Sequence, residues 1–428
     1  MANARTFGGE DYIGFHTLMA MSPAMKMSGH MSEREQALPV FKVLYRNTNR
    51  IQEQGGRKHE VLHPVAPGSE PATDEALHAA LKSKDTAAAE RLFATMVKQS
   101  PDSAFDALLH CVQDDTEVHR TVLPYRAWDL LDVVGHEHAH TLLRQSLRYC
   151  LEAESRRRPE WDEHGKVLTQ LLDEHKLLGR QPGTRTVEDS FIDALSKTLF
   201  NDTPAQAASA MAAALAEGFD PRELGEAIAL AANQLVLHDL GRTPAMEAPG
   251  KPAGSVHGDS IGVHASDSAN AWRNLSRVSR GTNVYACLIL GAWQIAKDTS
   301  VRADIRKWDT VPSKYQLGMI SSTEPTKLID QLEAAIRGNM QGLATAVVQR
   351  CAEHAVPEKL LFDSLLRFAV SEDGALHAEK YYQTVSDEFR TTRAAFRWRQ
   401  LTALARVTAS EFGRPAPGQM EARELLKV

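Results

Sequence analysis

Histidine is the residue type through which this chain could do chemistry. Its 428 residues include 17 histidines, and several stand in apolar stretches. His16 lies in Tyr12-Ile13-Gly14-Phe15-His16-Thr17-Leu18-Met19, with no adjacent charge. His136 and His140 flank Glu137-His138-Ala139, and their spacing of four puts both on one face of a helix. His238 closes the apolar run Ala231–Leu237 and is followed by Asp239. His257 and His264 bracket a short glycine-containing segment, with Asp267 just beyond. His110 follows Leu108-Leu109 and precedes Cys111. Two imidazoles on one helix face can converge on a metal ion. The zincin pattern His-Glu-x-x-His is not met, because His136-Glu137 would need a histidine at position 139. Neutral imidazoles suit iron, zinc, copper and nickel. The second ring nitrogen of a ligand usually donates to a carboxylate or carbonyl, a role open to Asp239 and Asp267.

The remaining histidines read as solvated. His30, His59, His63, His78, His119, His164, His175, His354 and His377 all sit among charges or loop residues. Lys297 closes the charge-free stretch Gly281–Ala296, where a lysine at a helix C-terminus is favoured by the macrodipole.

Other chemistries are absent from the sequence. The four cysteines, Cys111, Cys150, Cys287 and Cys351, form no Cys-x-x-Cys pair, which removes zinc-ribbon, iron–sulfur and thioredoxin-type sites. A net charge of −6 gives no footprint for nucleic acid. No dinucleotide fingerprint, phosphate loop or Gly-x-Ser-x-Gly elbow occurs. No signal core opens the chain, and the stretch Gly281–Ala296 is too short to span a bilayer. A cytoplasmic protein with no membrane and no nucleic-acid partner is expected.

The elements that must position these side chains read as helices throughout. Alanine, leucine, glutamate and arginine dominate, and β-branched alternation is scarce. The expectation is an all-α fold, an array of antiparallel helical hairpins around a buried histidine-rich site. Helices are expected at Pro124–Val134, Glu137–Glu154, Glu223–Val236, Asp267–Arg277 and Asn283–Lys297, and as one long run over Leu376–Glu411. Residues 1–300 would hold the site, and residues 301–428 would form a C-terminal helical region packed on it. Two stretches break the rhythm, Gln54–Pro71 and Gly241–Gly262. The second lies between His238 and His264, and long loops inside compact domains are often functional.

Three segments, in order, resemble the questin-oxidase-like family of oxygenases. They are Phe15-His16-Thr17-Leu18-Met19-Ala20, His140-Thr141-Leu142-Leu143-Arg144, and the helix from His264 to Arg273. The resemblance covers Tyr12 to Lys297 and nothing in the last 130 or so residues. It implies an all-helical oxygenase acting with dioxygen on an aromatic or quinone-like small molecule. It also implies a non-heme iron held by four histidines and a carboxylated lysine. On this chain the matching positions are His16, His140, His238, His264 and Lys297. His136 competes with His140, His257 competes with His264, and Asp239 and Asp267 would orient ligands. Fe(II) is the expected metal and zinc the lesser one. The rival readings are a helical-array interaction protein with structural histidines and a zinc-dependent hydrolase. The sequence leaves the oligomeric state open.

Overall fold

The computed structural model describes all residues except 158–161, 250, 257–259 and 302–303. Among the described residues it contains 21 α-helices and no strand. The fold is all-α, as the composition requires. Helix starts are set by side chains that accept orphan backbone N–H groups. Asp11, Thr73, Asp85, Ser100, Asp220 and Ser260 each do so. Thr203 and Gln206 complete a reciprocal capping box. Tight turns such as that between Asp74–Lys82 and Thr86–Gln99 fold successive helices back on one another. No described helix is long and apolar enough to cross a membrane.

Four helices form the centre of the molecule. They are named here by their histidines: the His16 helix (Tyr12–Ser28), the His119 helix (Val118–Val134), the His264 helix (Ile261–Val278) and the His377 helix (His377–Thr391). The His16 and His264 helices each pack on both the His119 and His377 helices. The result is a closed cycle of four. The apolar core divides into two large clusters around it, one running from Ala4 to Ile305 and one drawn mostly from Ile320 to Ala422. The second also takes in Met27, Leu38, Val236, Val256 and Val263. The central bundle therefore spans the expected boundary near residue 300, since the C-terminal region supplies one of its four helices.

Three differences from the sequence expectation matter for the site. The helix expected from Pro124 starts at Val118, with the Glu117 carboxylate accepting the backbone N–H groups of His119 and Arg120. Pro124 lies inside it. Proline marks a helix start well, but here a charged cap upstream overrides that signal. The helix expected from Asp267 starts at Ile261, capped by Ser260. The long run over Leu376–Glu411 is two helices, His377–Thr391 and Trp398–Glu411. The turn ahead of His377 is strained. Gly374, Ala375 and Leu376 all take positive φ, at 48°, 48° and 67°. Consecutive non-glycine residues in this region cost about 1–2 kcal/mol each and cluster at functional sites.

Candidate metal centre

Each central helix contributes one imidazole to a common ring. Centroid separations run 4.9 Å from His16 to His119, 5.8 Å from His119 to His264, 5.5 Å from His264 to His377, and 5.2 Å from His377 back to His16. With metal–nitrogen bonds of about 2.0–2.1 Å, adjacent imidazole centroids around one ion stand about 4.5–5.2 Å apart. The observed ring is at or slightly outside that range. No group of three or more His, Cys, Asp or Glu side chains among the described residues is already gathered as an ion would require. The ring would therefore have to contract by several tenths of an ångström to hold one.

The outward nitrogens are fastened. His16 donates its Nδ1–H to the Tyr12 carbonyl at 2.7 Å. His119 donates its Nδ1–H to Glu117 Oε1 at 2.7 Å, and Glu117 Oε2 accepts from the Tyr149 hydroxyl at 2.8 Å. His377 Nδ1 lies 3.2 Å from the Ala375 carbonyl, within the strained turn. A carbonyl or carboxylate partner at Nδ1 fixes the tautomer and leaves Nε2 as a bare lone pair. The Nε2 atoms of His16 and His119 are both buried without a hydrogen-bond partner. A buried polar atom left so costs free energy unless something binds it.

The electrostatics favour neutral imidazole. His16 is only 3% exposed. Burial first, then the Lys380 cation and the neighbouring His119 and His264, push its pKa far below the usual histidine range. All four histidines lie within the first five residues of their helices. Four helix N-termini thus converge, and their positive ends disfavour an imidazolium and favour negative charge. Glu117 supplies some of that charge. Burial would raise its carboxyl, but hydrogen bonds from His119 and Arg120 hold it down at about 2. Lys380, on the His377 helix, is 2% exposed and close enough for its charge to act on His16. Burial lowers its ammonium to about 8 against the opposing pull of Asp267. Asp267 accepts from the Thr384 hydroxyl at 2.8 Å.

The structure brings His16 and His264 together, as the sequence suggests, and leaves the other expected ligands outside. His136 is exposed in a 3-10 turn, 3.7 Å from Asp132. His140 packs toward Phe93 at 6.3 Å. His238 donates to the Trp308 carbonyl at 2.8 Å and lies against Phe200. Asp239 accepts from the Gly241 N–H and stands on the wall of the cavity that His264 also lines. Lys297 donates to the Thr116 carbonyl and hydroxyl at 3.1 and 3.2 Å. His110 is half-buried beside Asp74, and His257 lies outside the described residues. Asp267, the other expected orienter, is buried on the His264 helix, where its charge acts on Lys380.

His119 and His377 complete the ring although their sequence surroundings read as solvated. The charges beside them turn inward and are used: Glu117 clamps His119, and Glu379 pairs with the buried Lys42 at 2.5 Å. A cavity of about 630 Å³ opens to the ring at His264 and Glu117, with Lys297, Asp298, Gly241, Arg242, Thr243, Met246, Ser255 and Ser260 on its walls. Described residues of the loop that interrupts the helical pattern thus line the approach to the centre. No protein-family model, curated protein or solved structure matches this chain.

Proposed function

We propose that the protein is a mononuclear non-heme metal oxygenase, iron-dependent, acting on an aromatic or quinone-like small molecule in the cavity beside His264. The observation that supports this most is the ring of four imidazoles from four helices, with Nδ1 fastened and buried, unpartnered Nε2 atoms on His16 and His119. A redox-active metal held there would supply activation of dioxygen, which side chains alone cannot perform.

His16, His119, His264 and His377 are the ligands on this reading. His140, His136, His238 and Lys297 are not. The resemblance points to Lys297 as the carboxylated lysine, but on this reading that role falls to Lys380, which is 2% exposed one helical turn beyond His377. Its amine can add carbon dioxide, forming an N–C bond and releasing one proton, to give a carboxylate arm. Burial favours the neutral amine that reacts. That arm adds the negative charge that four neutral imidazoles lack, where four helix N-termini favour it. Glu117 keeps the proton on His119 Nδ1, and Tyr149 holds Glu117 in place.

Metal analysis by plasma mass spectrometry on untagged protein tests the proposal. Near-stoichiometric iron is expected, and alanine at His16, His119, His264 or His377 should each remove most of it. Alanine at His136, His140 or His238 should leave it in place. Stoichiometric zinc would transfer the site to hydrolysis. No metal, with none taken up on anaerobic iron addition, would overturn the reading and leave a helical binding protein.

A further inference from the structure

The four central helices all run the same way. Each carries its ring histidine within its first five residues. Each then sends a last-turn residue to a separate cavity of about 450 Å³, namely Lys26, Asp132, Arg277 and Arg390. Ten residues of helix put Lys26 about 15 Å beyond His16. No ring histidine lines this cavity. Its volume falls in the range of small-molecule sites. Where the ring gathers four positive helix ends, this cavity gathers four negative ones, which favour a cation.

The buried wall of the cavity holds acceptors with nothing to accept. Asn270 is 1% exposed and Asp387 is 8% exposed, and both line it. Asn270 Nδ2 donates to Glu388 at 2.8 Å, and its Oδ1 is buried without a hydrogen-bond partner. Asp387 Oδ1 accepts from Gln383 and Arg390, and its Oδ2 is buried without a partner. Such oxygens cost free energy until a donor reaches them, and an ammonium carries three donors.

The charged side chains of the walls are sorted by exposure. Lys26 pairs with Asp129, Arg273 with Glu388 and Arg390 with Asp387, and these pairs cancel. Asp132 is exposed and lies 3.7 Å from His136. Arg222 and Arg277 are exposed, and neither makes an ion pair with a described residue. A guanidinium is a fork for a carboxylate. Bare acceptors inside and two unspent guanidiniums outside match one molecule that carries both an ammonium and a carboxylate. A simple anion would leave the oxygens bare, and a polyamine would meet the guanidiniums. Arg277 lies two turns beyond Asn270, about 10 Å along the axis, and its side chain leans back toward the helix N-terminus. The arginine arm and one compact zwitterion span that gap together.

We propose that this cavity binds a free α-amino acid, with its ammonium on Asn270 Oδ1 and Asp387 Oδ2 and its carboxylate on Arg222 and Arg277. The inference uses no residue of the histidine ring and does not rest on the oxygenase reading.

The test is a thermal-shift screen of the full-length protein against each common L-amino acid, followed by calorimetry on those that raise the melting temperature. At least one should bind, and its N-acetyl and amide derivatives should each bind at least about tenfold more weakly. The double variant Arg222→Gln, Arg277→Gln should bind the acid and its amide equally. Both arginines are exposed, so this variant is expected to fold, and circular dichroism melts check that it does. Asp387→Asn should weaken the free amino acid and leave the N-acetyl form unchanged. Binding of no amino acid, equal binding of the N-acetyl form by wild type, tighter binding of putrescine than of any amino acid, or a preference for the acid that survives in the double variant would each overturn the proposal.

Discussion

Replacing Glu117 by glutamine separates a metal centre from a structural histidine cluster. The Glu117 oxygens accept four hydrogen bonds: the His119 backbone N–H at 3.0 Å, His119 Nδ1–H at 2.7 Å, the Arg120 N–H at 2.9 Å and the Tyr149 hydroxyl at 2.8 Å. Glutamine keeps one carbonyl oxygen and turns the other acceptor into a donor. The Tyr149 hydroxyl can rotate to accept from the new amide. The Arg120 N–H cannot, and one unpaired donor costs about 1–3 kcal/mol of fold stability. The effect on metal is separate. Losing the carboxylate behind a ligand histidine typically lowers affinity 10–100-fold, or about 1.4–2.7 kcal/mol. The assay is anaerobic Fe(II) titration in a metal-buffered solution, with Co(II) as a spectroscopic surrogate, on wild type, Glu117→Gln, His119→Ala and His140→Ala. The expected order of affinity is wild type equal to His140→Ala, then Glu117→Gln, then His119→Ala. A folded Glu117→Gln variant that binds metal as wild type does would refute the view that Glu117 acts through His119.

Two further outcomes follow from the packing around the cavity beside His264. The half-buried Asp298 carboxyl is pushed up to about 7 by burial against the pull of Lys297, with the Glu117 charge adding to the push, whereas in the unfolded chain it titrates near about 4. The native state therefore holds the proton longer, and stability falls as pH rises from about 4 to about 7. Asp298→Asn should flatten that slope in chemical denaturation between pH 4 and 8, and parallel profiles for the two proteins would count against it. Gly262 lies two residues before His264, and a β-carbon there would meet the Val236 Cα and N at 2.8 and 2.9 Å. Backbone cannot rotate away, so Gly262→Ala should cost about 1–3 kcal/mol in urea denaturation and weaken metal binding by shifting the His264 helix. Wild-type values for both would show that the helix pair has slack.

Much of the architecture was legible because helix formation is local. Alanine-rich 3.6-residue periodicity, proline at first turns and polar caps are carried by neighbours in sequence, and they gave an all-α chain with most helices in place. His16 and His264 stood out for the same reason, since their apolar neighbours face the same core. His140 stood out equally and was misleading. Its apolar helix is buried, but the face that carries it meets Phe93 and not the centre.

His119 and His377 were hidden by the charges around them. In Asp115-Thr116-Glu117-Val118-His119-Arg120 the ionisable groups read as solvated surface. In the fold Arg120 is 1% exposed and pairs with Glu154, and Glu117 clamps an imidazole. The same holds for His377-Ala378-Glu379-Lys380, where Glu379 and Lys380 are both buried. Both segments carry charges of both signs, and sequence alone does not distinguish mutual burial from solvation. Pro124 added to the error by marking a helix start six residues too late for His119.

The sequence by itself determined that the chain is helical, where most helices start and stop, and that histidine is its available chemistry. The tertiary structure decided which four histidines meet. They come from helices far apart in the chain, and their convergence depends on which helix faces pack together. That is a sum of long-range contacts that no local window contains.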